Sequence, residues 1–100
     1  MEISKAHTER GFDLIEFEDL YYSKCNIQKS SLATEDAIWF GVRNAQPKIM
    51  ASKTKEGGTG WVDYLIPEDV LLTTRMHLSI EQVKKLLPIL QRFAETGEIL

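Results

Sequence analysis

The residues best suited to chemistry in this chain are the cation-bearing turns. Lys29-Ser30-Ser31 joins an ammonium, two hydroxyls and adjacent backbone amides, a combination that can cradle phosphate or carboxylate oxygens. Thr73-Thr74-Arg75-Met76-His77 gathers a guanidinium, an imidazole and two hydroxyls just before the segment with the strongest helical period. A helix N-terminus attracts anions through its unpaired amides, and a guanidinium binds phosphate in bidentate fashion and stacks on bases. Arg75 is therefore the leading candidate for contact with an anionic ligand, with His77 beside it. Trp39, Phe40, Trp61 and Tyr64 offer flat faces for a purine, although aromatic residues in so small a protein also serve as packing. A serine-rich turn and a surface arginine equally exist without any ligand.

Other chemistries fit less well. Gly57-Gly58-Thr59-Gly60 lacks the Gly-Lys-Ser/Thr that opens the helix of a phosphate-binding loop, and reads as a flexible connection. His7 and His77 lie far apart, with no carboxylate at helical metal-binding spacing, so no metal or cofactor is expected. Cys25 is the single cysteine, which rules out an intramolecular disulfide and reads as a structural strand residue. Glu16, Glu18 and Asp19 can be placed for acid and base work, but solvated carboxylates at a sheet edge are commoner. The expectation is a binding protein and not an enzyme.

Charge narrows the ligand. The 100 residues carry −3 overall, which argues against a surface that coats nucleic acid generally. Residues 1–19 are net −4 and residues 56–100 net −3, whereas residues 20–55, with Lys24, Lys29, Arg43, Lys48, Lys53 and Lys55, are net +4. Such a centre, Arg43 included, could face a small anion, or its lysines could be solvated ends of strands. With 43% hydrophobic residues, no apolar run long enough for a membrane span and no signal-peptide pattern at Met1-Glu2-Ile3-Ser4-Lys5, the chain reads as one globular domain in the cytoplasm.

The elements that must position these residues divide at Pro67. Residues 1–11 are polar and aperiodic and read as a flexible arm. Residues 12–18 read as a bulged strand, Cys25-Asn26-Ile27-Gln28 as a second after a turn at Glu18-Asp19, and Ile38–Val42 with Lys48–Ala51 as a hairpin. Trp61–Ile66 is another strand. Pro67-Glu68-Asp69 opens a short helix through about residue 74, and Ser79 with Gln82 forms a capping box for a helix over 80–96. On that helix Ile80, Val83, Leu86, Leu87, Leu90 and Phe93 share one face, Pro88 removes one backbone bond, and Gly97 supplies the left-handed stop. The expected fold is α+β, an N-terminal antiparallel β-sheet over 12–66 followed by two C-terminal helices. The apolar helix face exceeds what one small sheet covers, so self-association is expected as well.

The strings Cys25-Asn26-Ile27-Gln28-Lys29-Ser30-Ser31-Leu32-Ala33-Thr34, Ala37-Ile38-Trp39-Phe40-Gly41 and Thr74-Arg75-Met76-His77-Leu78-Ser79, with Leu86-Leu87-Pro88 and Phe93-Ala94-Glu95-Thr96-Gly97-Glu98, resemble a small protein family encoded by bacteriophages and prophages. The resemblance covers residues 12–100 and implies a phage protein working in the host bacterial cytoplasm. The order of elements is further similar to that of the phage sponge proteins that inhibit Thoeris defence by sequestering cyclic ADP-ribose signals. That resemblance implies capture of a small cyclic nucleotide without catalysis, while the chemistry of the residues themselves makes Arg75, His77, Lys29, Ser30, Ser31, Arg43 and Trp39 the expected contacts. Two other readings remain open. One is a phage inhibitor of a host defence protein of the anti-CRISPR type, for which the acidic ends suit DNA mimicry. The other is a small nucleic-acid-binding accessory protein using residues 20–55.

Overall fold

The computed structural model describes residues 1–100, and its first feature is the alternation that the strand sequences impose. Strands β1 (Ser4–His7), β2 (Asp13–Glu18), β3 (Lys24–Lys29), β4 (Ala37–Val42) and β7 (Arg75–Ser79) form one antiparallel sheet in the order β1-β2-β3-β4-β7. Successive residues of a strand face opposite sides, so register sorts the side chains into two surfaces. Ile15, Phe17, Cys25, Ile27, Ile38, Phe40, Val42, Met76 and Leu78 fall on one side, where the Phe17 and Phe40 rings meet edge to face at 6.3 Å. Glu16, Asn26, Gln28, Trp39, Arg75 and His77 fall on the other. The sheet is thus apolar on one face and polar on the other.

Helix α1 (Ile80–Thr96) follows β7 without a loop, because Ser79 ends the strand and caps the helix. The capping box forms as its spacing predicts: the Gln82 amide donates to Ser79 Oγ at 3.2 Å and the Ser79 amide donates to Gln82 Oε1 at 2.9 Å. Gly97 takes φ 77°, a left-handed conformation that needs glycine, and its amide donates to the Phe93 carbonyl at 2.8 Å. Ser79→Ala removes one acceptor for an orphan amide, and should cost about 0.5–2 kcal/mol, read as a lower melting temperature. An unchanged melting curve would show that the cap contributes nothing.

The chain divides into two compact units, residues 1–43 with 75–100, and residues 44–74. The second unit contains β5 (Lys48–Met50) paired antiparallel with β6 (Trp61–Asp63), joined by a 3₁₀ turn at Ala51–Lys53 and the glycine-rich loop. Lys48 and Asp63 form an ion pair across that ladder, and Ala51 is buried where the loop closes on it.

Six expectations need correction. The fold is α+β with an antiparallel sheet, but it has one helix and not two. Val70-Leu71-Leu72 makes only a turn, with the Val70 amide donating to the Pro67 carbonyl at 3.1 Å. The segment before α1 is strand β7, because Met76 and Leu78 alternate with Arg75 and His77 at period two. Residues 4–7 are no loose arm: they pair with β2, whose register is continuous on both sides and contains no bulge. Finally, β4 does not form a hairpin with β5; it lies between β3 and β7, and the sheet of the first unit extends to Ser79 in place of ending at residue 66.

Candidate functional site

The polar face of the sheet brings Arg75 and His77 together with Asn26 and Gln28 of β3, Ser30 just after it, and Trp39 of β4. Register places Arg75 opposite Gly41, and Gly41 opposite Asn26, so only a glycine stands between the arginine and the third strand. Gly41 has φ 152°, a value side-chain-bearing residues rarely adopt. Across this gap Arg75 Nη1 donates to Gln28 Oε1 at 3.1 Å and, more weakly, to Asn26 Oδ1 at 3.5 Å. Both acceptors are neutral amides. A guanidinium has five N–H donors, and these bonds leave only from Nη1, so the edge formed by Nη2 and Nε can receive a second partner.

The aromatic part is equally fixed. Trp39 and His77 are directly opposite in register, and their rings stack at 3.9 Å with an interplanar angle of 6°. The guanidinium carbon of Arg75 lies 5.4 Å from the Trp39 ring centroid, within cation–π range. His77 Nε2 and Ser30 Oγ share a 2.9 Å hydrogen bond, which sets the plane of the imidazole. Ser30 is buried and its Oγ also accepts from the Leu32 amide at 3.2 Å, so the turn after β3 locks the hydroxyl that locks the histidine.

Of the residues expected at a site, Arg75, His77, Trp39 and Ser30 are assembled. Lys29 is not: alternation sends it to the apolar face, where its Nζ donates to Asp36 Oδ1 at 2.5 Å. That hydrogen bond, with the lysine charge behind it, holds the Asp36 carboxyl below its ordinary range. Ser31 is exposed just beyond β3 and makes no part of the cluster. Arg43 lies on the polar side, where its Nη1 is 3.9 Å from Glu16 Oε2 in a loose, half-exposed ion pair, and no hydrogen bond ties it to the Arg75 cluster. Of the positive centre of the sequence, Lys48, Lys53 and Lys55 belong to the second unit, where Lys48 is paired with Asp63. Arg75 is also not at a helix N-terminus. It begins β7, and Ser79, the cap, stands four residues away at the other end of the strand, about 13 Å along it. What fixes Arg75 is the cross-strand pair of amides.

Asn26, Gln28 and Gly41 are absent from the sequence reading of the site. The signal that could have found them is the alternation Asn26, Gln28, Ser30 against Cys25 and Ile27, which places polar side chains of one strand on a common face. Asn26 is 6% exposed, and a buried amide must find a partner, which Arg75 supplies.

Elsewhere the chemistry does not suit an anion. A concavity of about 800 Å³ at the β1–β2–β3 end is lined by four carboxylates, of Glu2, Glu16, Glu18 and Asp19, against the Lys24 ammonium and the Met1 amino group, so its potential disfavours phosphate. Cys25, on the apolar side, has its thiol pushed up by burial and further by the Asp19 carboxylate. Raising the folded-state value favours the protonated thiol, so this contribution to stability is present at neutral pH and is lost as pH rises through the folded-state value. Alkylation of Cys25 by iodoacetamide at neutral pH should therefore be far slower in the native protein than after unfolding; equal rates would show an accessible, reactive thiol.

No helix of the structure is long and apolar enough to cross a membrane. No protein-family model, curated protein or solved structure matches the chain.

Proposed function

We propose that this chain is a non-catalytic binding protein that captures a small phosphorylated nucleotide on the polar face of its sheet. The observation that carries this reading is the state of Arg75: a half-buried guanidinium anchored through one nitrogen by two neutral amides, with no hydrogen bond from Nε or Nη2, beside a stacked indole and imidazole. Charge-assisted bidentate bonds to a phosphate and contact of a base with the aromatic pair are the interactions such a surface offers. A small ligand fits better than a polymer, because the other cations on the polar side are few and Arg43 has the Glu16 carboxylate beside it. In the setting that the sequence resemblance implies, the protein is a phage counter-defence protein that sequesters a cyclic nucleotide signal of the cyclic ADP-ribose type. Capture needs only affinity, and Arg75 with Trp39 and His77 supplies it.

Native mass spectrometry of freshly purified protein tests this directly. The expected spectrum shows a co-purified mass of a few hundred daltons that is released on denaturation and absent from Arg75→Ala. A bare protein mass that also takes up no added cyclic nucleotide would overturn the reading and favour an inhibitor acting through protein contact.

A further inference from the structure

Two apolar surfaces of this chain stand uncovered, and they are complementary in kind. On α1, Val83, Leu86, Leu87, Leu90 and Phe93 share one arc, yet no residue of the helix is buried; Leu87 and Leu90 are each 58% exposed and Phe93 55%. Beneath the sheet, Ile15, Phe17, Ile27, Ile38 and Phe40 are only half-buried and Met76 is 55% exposed. An amphipathic helix and a one-sided apolar sheet ordinarily cover each other as two layers of one core.

Here α1 does not lie back across its own sheet. Because Ser79 is both the last residue of β7 and the cap of α1, no loop turns the helix back across its own sheet. Only the first turns come near, where Ile80, Val83 and Leu87 border a groove of about 290 Å³ with Ile38 and Leu78. The rest of α1 continues away from the sheet. The missing cover is also visible as area. The chain exposes 8794 Å². A folded monomer of this mass exposes about 5,800 Å². That difference is spread over both units, the exposed Trp61, Leu65 and Leu71 of the second included, and the α1 stripe and the apolar side of the sheet are part of it.

We propose that two copies associate by reciprocal exchange of α1, the helix of each lying along the apolar sheet face of the other. The occupant is a second copy because one chain carries both the uncovered stripe and the uncovered sheet, and a two-fold pairing satisfies both at once and closes. In this arrangement Leu87, Leu90 and Phe93 of one protomer cover the Ile27, Phe40 and Met76 surface of its partner. The polar face with Arg75 is on the opposite side of the sheet and stays open.

Disulfide trapping between differently marked chains tests the exchange. In a Cys25→Ala background, one chain carries Met76→Cys and a second Leu90→Cys; the two are mixed, unfolded and refolded together, and oxidised. A covalent heterodimer should accumulate, and the pair Met76→Cys with Lys85→Cys, on the opposite side of the helix, should give at least tenfold less. Equal trapping with Lys85→Cys would overturn the proposal. In parallel, sedimentation of the unmodified chain at micromolar concentration should give twice the 11.4 kDa chain mass. Leu87→Asp with Leu90→Asp should shift it to the single-chain mass. A wild-type monomer would equally overturn the proposal, whatever the behaviour of the variants.

Discussion

Arg75→Ala should weaken nucleotide binding by about 10- to 150-fold, the loss of charge-assisted hydrogen bonds worth roughly 1.5–3 kcal/mol. The geometry sharpens what else changes. Nη1 of Arg75 satisfies Asn26, which is 6% exposed, so removing the guanidinium leaves a buried amide oxygen without its donor. A modest fall in melting temperature should accompany the loss of affinity, of the order of 1 kcal/mol. Arg75→Lys separates the two effects: an ammonium retains charge but cannot hold two amides with one nitrogen while presenting a planar edge to phosphate. Binding by the lysine variant should lie between wild type and alanine. Calorimetry on all three, with melting curves for each, reads the outcome; equal affinity for wild type and Arg75→Ala would remove Arg75 from the site.

Gly41→Val should be the most damaging single substitution on the polar face. At φ 152° a β-branched residue is strained, at a cost of about 1–3 kcal/mol. Its side chain would also rise between Arg75 and Asn26, the lane across which the guanidinium reaches β3. Both folding stability and affinity should fall together. A Gly41→Val protein that melts and binds like wild type would show that Arg75 does not need that lane.

These two residues illustrate what the sequence makes legible. The capping box, the span of α1 and its glycine stop are local chemistry, determined within a few residues of Ser79 and Gly97, and they are found where the spacing puts them. Strand existence is likewise local: β2, β4 and β6 carry β-branched and aromatic residues, and β3 alternates Cys25 and Ile27 with Asn26 and Gln28. Strand partners are not. Nothing near Ile38–Val42 reveals that its neighbour is a strand more than thirty residues on, and the adjacent turn residues point instead to a hairpin. Strand β7 is hidden by the acidic, proline-led start at Pro67, which has the composition of a helix N-terminus but continues only as a turn. Arg75 is identified from its chemistry, but the reason for its placing differs: it is fixed by Asn26 and Gln28 across Gly41, a relation that exists only once β3, β4 and β7 lie side by side. For Lys29 the same alternation works the other way, since one residue's displacement along a strand exchanges one face of a sheet for the other.

The most direct measurement is a calorimetric titration of the wild-type chain with cyclic ADP-ribose isomers and cyclic di- and trinucleotides, repeated at two salt concentrations. If the polar face is a nucleotide site, at least one of these compounds binds at one ligand per site, competes with inorganic phosphate, and loses only the modest affinity with added salt that a single guanidinium contact entails. No binding by any of them, or binding that is unaffected by phosphate and by Arg75→Ala, would contradict it.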